Sequence, residues 1–219
     1  MHYDSRMDFV VSGVGVMDKA MFLLDVVELK QPIGLLEVQE TVPFPNTTTH
    51  RLLTSLEIHG LVRRNDDGLF VSGPRFGTAS LSQLATPILK QLSEDTGESS
   101  QLFVRRGQQR LAIVSIESRN ELRTAVSLGA LLTIERGSSG RLLLGDAEAL
   151  RQGWTASVGE RAAGTASVSA PVYDGGYVVA AVCLSGPINR LGDNPGSRHA
   201  KRVVRAAKAV ERALFSSHH

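Results

Sequence analysis

Two short stretches of this 219-residue chain gather side chains suited to holding phosphate or carboxylate. The first is Pro45-Asn46-Thr47-Thr48-Thr49-His50-Arg51. Small hydroxyl and amide groups at the start of a helix approach base edges and phosphates closely, and the helix N-terminus adds partial positive charge aimed at an anion. Arg51 can reach guanine or phosphate from such a position. Arg63 and Arg64 follow at the base of a short turn, where they are expected to converge with Arg51 and His50 on one face. The expected DNA contacts are therefore Pro45, Asn46, Thr47, Thr48, His50, Arg51, Arg63 and Arg64; the plain alternative is a solvated, threonine-rich surface helix.

The second stretch is Gly137-Ser138-Ser139-Gly140, ahead of the apolar Leu142-Leu143-Leu144. Backbone amides at a helix start can hold an anion, and glycines let the backbone come close to it. Arg136 and Arg141 flank this loop, whose alternative reading is a capped turn. Cys183 lies inside the apolar run VVAAVCLSG. Strand alternation puts Cys183 and Ser185 on one face, whether toward a pocket or toward the core.

Elements able to position these groups can be read from periodicity. Val16, Ala20, Leu23, Leu24 and Val27 predict an amphipathic helix over 15–29, ended by Gln31-Pro32. A second short helix is expected over 34–41, before Val42-Pro43-Phe44-Pro45 forces a turn. Leu52, Leu53 and Leu56 predict a third helix over 47–59, with Asn46 as its N-cap. Residues 60–64 and 69–71, joined by Asn65-Asp66-Asp67-Gly68, read as a β-hairpin. Helix, helix, turn, helix, hairpin is the order of a winged helix-turn-helix, whose third helix enters the major groove. A further helix is expected in 76–92, with Pro87 as a boundary or kink. Beyond it, strands at 101–104, 111–116, 166–171 and 177–184 alternate with helical patterns at 142–150 and 198–215.

Composition narrows the class. At 42% hydrophobic and 21% charged residues the chain reads as an ordinary globular protein. No apolar run has the length of a membrane span, and the N-terminus lacks a signal core, so a cytoplasmic protein is expected. The net charge of +2 says little about nucleic acid, and residues 1–76 carry seven Lys or Arg against ten Asp or Glu. A single cysteine allows neither an intrachain disulfide nor a thiolate cluster, and the histidines lack zinc-ligand spacing, so no metal or cofactor is expected. No GxSxG elbow, GxxxxGK loop or HExxH helix is present, which argues against an enzyme.

GVGVMDKAMFLLDVVE, NTTTHRLLTSLEIHGLVRRNDDGLFVSGPRF, GWTASVGERAAGTASVSAPV and VVAAVCLSGPINRL together resemble the IclR family of bacterial transcriptional regulators. GESSQLFVRRGQQRLAIVSIES and the RGSSG loop are similar to its actinobacterial NdgR/LtbR subgroup, associated with leucine and other amino-acid metabolism. The resemblance implies an α+β fold: an N-terminal winged helix-turn-helix in 1–76, a linker helix in 77–90 and a GAF/PAS-like mixed α/β effector-binding domain in 91–219. It implies a homodimer, often a dimer of dimers, on double-stranded operator DNA, and a small carboxylate effector such as an amino or keto acid. It places effector contacts at Leu131, Thr133, Gly137, Ser138 and Ser139, with Ser157, Ser167, Cys183 and Ser185 at other lining positions. The competing regulator senses no metabolite and either binds DNA constitutively or uses Cys183 as a redox sensor. A thiol sensor needs exposure and adjacent positive charge, which the apolar run around Cys183 disfavours.

Overall fold

The structure is a computed structural model that describes residues 12–73 and 78–217. The chain divides into two compact units, Met1–Gly77 and Thr78–His219.

In the first unit α1 (Gly15–Lys30), α2 (Leu35–Thr41) and α3 (Asn46–Ile58) precede a ribbon of β1 (Val62–Arg64) and β2 (Phe70–Ser72). Its core joins Phe22, Leu23, Val26 and Val27 of α1 to Val38, Leu53, Leu56, Val62 and Phe70. Between α1 and α2, Ile33 pairs with Phe70 by two backbone hydrogen bonds of 3.0 and 2.8 Å. Both side chains are fully buried, each contributing about 1.5–3 kcal/mol of apolar transfer energy, so the ribbon is fastened to the helices through its inner strand. The turn between the strands is held by Asn65, whose Oδ1 accepts from the N–H groups of Asp67 at 3.1 Å and Leu69 at 2.9 Å. Gly68 closes it at φ +77°, a conformation costly for any residue with a Cβ.

Asn46 is not the cap of α3. The carbonyl of Pro45 accepts from Thr48 and Thr49 at 2.9 and 3.0 Å, so the helix begins one residue earlier than the side-chain chemistry suggested. No side chain caps that end.

The second unit opens with α4 (Thr78–Thr96) and is built on an antiparallel sheet. Its strands are β3 (Ser99–Arg106), β4 (Gln109–Ile116), β5 (Leu131–Thr133), β6 (Thr155–Val158), β7 (Thr165–Asp174) and β8 (Tyr177–Pro187), in the order β5-β4-β3-β8-β7-β6. Alternation along β8 splits its apolar residues between two cores. Val182 and Leu184 meet α4 and the long α8 (Pro195–Ser217), through Leu89, Val203 and Val210. Ala181 and Cys183 face the other way, toward Phe103 of β3 and Leu142 of α5 (Ser138–Leu144). The short α6 (Ala147–Gln152) and α7 (Ile188–Leu191) complete the unit.

Two expectations change. The helix expected over 76–92, and as a linker over 77–90, runs to Thr96 with Pro87 inside it, and Leu81, Ala85, Leu89 and Leu92 belong to the core of the second unit. Residues 76 and 77, where it was to begin, lie outside the described residues. The single helix expected over 142–150 is two helices. Gly145 takes a left-handed conformation after Leu144, and Asp146 then caps α6 by accepting from Glu148 and Ala149, each at 3.0 Å.

Candidate nucleic-acid interface and ligand pocket

Helix α3 buries Thr49, Leu53 and Leu56 and turns Thr47, His50, Arg51, Thr54 and Ile58 to solvent. Spacings of three and four residues place those five side chains on one face. Ile58, 75% exposed, extends that face with an apolar group able to contact a thymine methyl. Pro45 and Asn46 are exposed at the uncapped end, whereas Thr48 is half-buried toward one side. The geometry fits an element that inserts N-terminus first between phosphates.

The two ribbon arginines do not share one environment. Neighbours on β1 point to opposite sides, and Arg63 is half-buried while Arg64 is exposed. Arg64 stacks its guanidinium 4.5 Å from the centre of the Phe70 ring, and its Nε lies 3.7 Å from Glu57 on α3. It thus braces the ribbon against α3, with half its side chain still open to water. Arg63 and Arg64 leave β1 on opposite sides, so these two do not converge with each other on a single face as expected.

In the second unit, the sheet face under α5 carries a polar cluster. Ser138 Oγ lies 2.7 Å from Ser167 Oγ and 2.8 Å from Ser169 Oγ, and Ser157 Oγ lies 2.9 Å from Ser167 Oγ. A small cavity sits beside it, lined in part by Gln101, Phe103, Arg110, Gly137, Ser139, Ser157, Ser167, Cys183 and Ser185. Its free space is about 20 Å3, room for about one water molecule. Arg110 is 3% exposed. It donates to Ser139 Oγ at 2.6 Å and stacks on Phe103 at 5.1 Å, yet its Nε has no acceptor. No carboxylate among the described residues pairs with it. Burial accordingly draws its pKa below the usual guanidinium range, with nearby Arg161 acting in the same direction and Cys183 and Glu160 opposing it. Across the cavity, Ser185 donates to Gln101 Oε1 at 3.0 Å, while the Nε2 of that buried amide is unpartnered.

The loop glycines are fixed by their surroundings. A Cβ on Gly140 would fall 1.9 Å from the Ile134 carbonyl, and Gly137, at φ +85°, would crowd the Arg110 guanidinium. The Gly137 and Ser138 amides of this loop are engaged within the chain. Gly137 N–H donates to Glu160 Oε2 at 2.9 Å, and Ser138 N–H donates to Ser157 Oγ at 3.2 Å. The Ser138 amide, expected to face a ligand carboxylate, is therefore directed at a serine, and the carboxylate at the loop is Glu160, which Arg141 also pairs.

Leu131 and Thr133 are exposed on the edge strand β5; alternation sends Leu132, between them, to the cavity wall. Cys183 is buried, and burial raises its thiol pKa, the opposite of an activated thiol. Gln101, Phe103, Arg110 and Arg161 were not anticipated. A signal existed for Arg110: it lies two residues before the buried Ala112, so strand alternation carries a cation onto an apolar face.

A three-helix unit with a β-ribbon, followed by an α/β unit with its own polar cavity, is the arrangement of a DNA-binding regulator with a C-terminal effector domain. Residues 16–66 match the family described as IclR helix-turn-helix domain, and residues 76–149 and 147–212 match bacterial transcriptional regulator IclR C-terminal. The chain belongs to the IclR family of bacterial transcriptional regulators. It is 24% identical to the acetate operon repressor of Salmonella typhimurium over 92% of this chain and 90% of that one. The fold is similar to that of an IclR-family regulator from Rhodococcus, with a TM-score of 0.59, 24% identity and coverage of 94% of this chain and 96% of that one. It is also similar to an IclR homologue from Microbacterium hydrocarbonoxydans complexed with 4-hydroxybenzoate, with a TM-score of 0.58, 18% identity and coverage of 92% and 99%.

Proposed function

We propose that this regulator reads double-stranded operator DNA with the exposed face of α3, assisted by Arg63 and Arg64 on the ribbon, and that a small carboxylate bound beneath α5 modulates that binding. Pro45, Asn46, Thr47, His50 and Arg51 are the contacts assigned to bases and phosphates, with Thr48 at the margin. Reading a pseudo-palindromic operator calls for a homodimer or a dimer of dimers. The resemblance to the NdgR/LtbR subgroup favours target genes of leucine or other amino-acid metabolism.

The observation that carries the sensing half is Arg110, a buried cation with no carboxylate partner at the edge of a serine-walled cavity. Buried charges are normally paired, so such a site favours an anionic ligand. The carboxylate-bearing ligand named with the Microbacterium homologue is consistent with this reading. A ligand that binds one arrangement of the reading heads better than another shifts their populations by its differential affinity. The test is to select bound sequences from random duplexes with the full chain, then measure affinity for them across salt concentrations with and without candidate carboxylates. Operator affinity unchanged by every carboxylate that binds would remove the modulation.

A further inference from the structure

The charge of this chain is unevenly divided. Residues 1–76 carry seven Lys or Arg against ten Asp or Glu, which leaves 17 against 12 for residues 77–219. The excess cations of the second unit gather on its last helix. Arg198, Lys201, Arg202, Arg205, Lys208 and Arg212 of α8 are all exposed, and Glu211 is the only acid between 198 and 212. At about 100° and about 1.5 Å per residue, these six side chains leave the helix within an arc of about 120° and over a length of about 21 Å. The opposite face is buried against the sheet through Val203, Ala207, Val210 and Leu214. We propose that this basic crest of α8 is a second contact for duplex DNA, holding phosphates without reading sequence.

An exposed helix that only meets water usually alternates the signs of its charges at spacings of three and four. Along this crest Arg198 and Arg202, Lys201 and Arg205, Arg205 and Lys208, and Lys208 and Arg212 repeat one sign at those spacings, and such pairs repel. None of the six cations forms an ion pair among the described residues. Glu211 lies off the stripe, where its Oε1 accepts from the Tyr173 N–H at 3.0 Å. Asp95 of α4 shares a groove with Arg202 and Arg205, but it accepts from Gln91 at 2.7 Å instead. A polyanion laid along the crest relieves the repulsion and releases its own condensed counterions. Asp95 also decides which polyanion fits. An acidic peptide seated in the groove between α4 and α8 would meet that carboxylate, whereas a duplex needs only the outward-facing cations, the donors that phosphates take. A DNA-binding regulator whose first unit is net acidic draws its long-range attraction for DNA from elsewhere, and α8 supplies it. The contact is independent of the α3 face and of the cavity beneath α5.

The test measures binding of the full chain, by fluorescence anisotropy, to a selected operator duplex and to a random duplex of equal length across a series of salt concentrations. Lys201→Gln, Arg205→Gln and Lys208→Gln combined should weaken binding to both duplexes by the same factor, at least about tenfold at about 0.15 M salt, and lower the salt slope by about 2–3. Arg198 is left in place because it holds the Arg190 carbonyl at 3.2 Å. The replacements remove like-charge pairs, so α8 is not weakened, and an unchanged urea midpoint checks this. Arg119→Gln, Arg136→Gln and Arg151→Gln remove the same charge from exposed positions elsewhere on the second unit and should leave the slope within about 1 of wild type. A slope unchanged by the α8 replacements overturns the inference, and so does an equal fall in the control variant. A shift in oligomeric mass of the α8 variant with its DNA affinity retained also overturns it and gives the crest to contacts between copies of the chain. The α3 reading fails by a different result, Arg51→Ala leaving the preference for operator over random duplex unchanged, and binding to neither duplex overturns both.

Discussion

Glu160 Oε2 accepts a hydrogen bond from the Gly137 backbone N–H at 2.9 Å, so the glycine-serine loop opening α5 already holds a carboxylate supplied by the chain itself. Arg141 pairs with the other oxygen of the same group. In Glu160→Gln an amide oxygen can keep the Gly137 contact, but the negative charge and the tie to Arg141 are lost. A small carboxylate should then bind severalfold more tightly, because the cavity becomes more positive and the loop that Glu160 ties down moves at lower cost. Calorimetry on wild type and variant checks this; equal or weaker binding would show that Glu160 does not restrain the cavity.

Gly140→Ala should destabilise the second unit. The added Cβ meets the Ile134 carbonyl at 1.9 Å, and a backbone carbonyl cannot swing aside as a side chain can. Overpacking of this kind costs about 1–3 kcal/mol or more. Urea unfolding with an unchanged midpoint would mean that the loop and β5 separate without penalty.

Arg190 clamps Glu98 with two hydrogen bonds, at 2.5 and 3.0 Å, and the Glu98 carboxylate is nearly inaccessible. Arg190→Ala strands that charge and should cost about 3 kcal/mol, the lower end for breaking a buried pair, since Arg190 itself is a third exposed. Chemical denaturation reads the loss directly, and a change below about 0.5 kcal/mol would place the pair among surface ion pairs.

Stability should also depend on pH through His199. Burial pushes its imidazole below the ordinary value of 6.5, with Arg202 and Arg198 adding to the effect and Glu98 opposing it. Below 6.5 the unfolded chain protonates this histidine while the native chain resists, so the free energy of unfolding falls as pH drops and levels off below the native pKa. Above that window the contribution is constant. His199→Gln should flatten this part of the stability curve, as measured by urea midpoints from about pH 8 to about pH 5. A curve of unchanged slope would assign the dependence to other groups.

The first unit was legible because its signals are local. Apolar spacing gave three helices to within about two residues, and Asn65-Asp66-Asp67-Gly68 gave the turn. The pairing of Ile33 with Phe70 was not legible, since a one-residue bridge has no period. In the second unit Ser138 and Ser139 were read from the loop pattern and Ser157, Ser167 and Ser185 from resemblance, while Leu131 and Thr133, also from resemblance, are exposed on β5, where a one-residue shift reverses every side chain. The strand at 111–116 was begun one residue too late to include Arg110. Glu160 reaches Gly137 from 23 positions away, a contact that only the fold creates.

Operator binding offers the most direct measurement of the central claim, that the exposed face of α3 reads DNA. Arg51→Ala, titrated against a selected operator duplex beside wild type and a control variant, Arg123→Ala in the second unit, is expected to lose about 1–3 kcal/mol of binding while the control loses none. A folded Arg51→Ala chain that binds the operator as tightly as wild type would contradict the assignment of α3 as the reading helix.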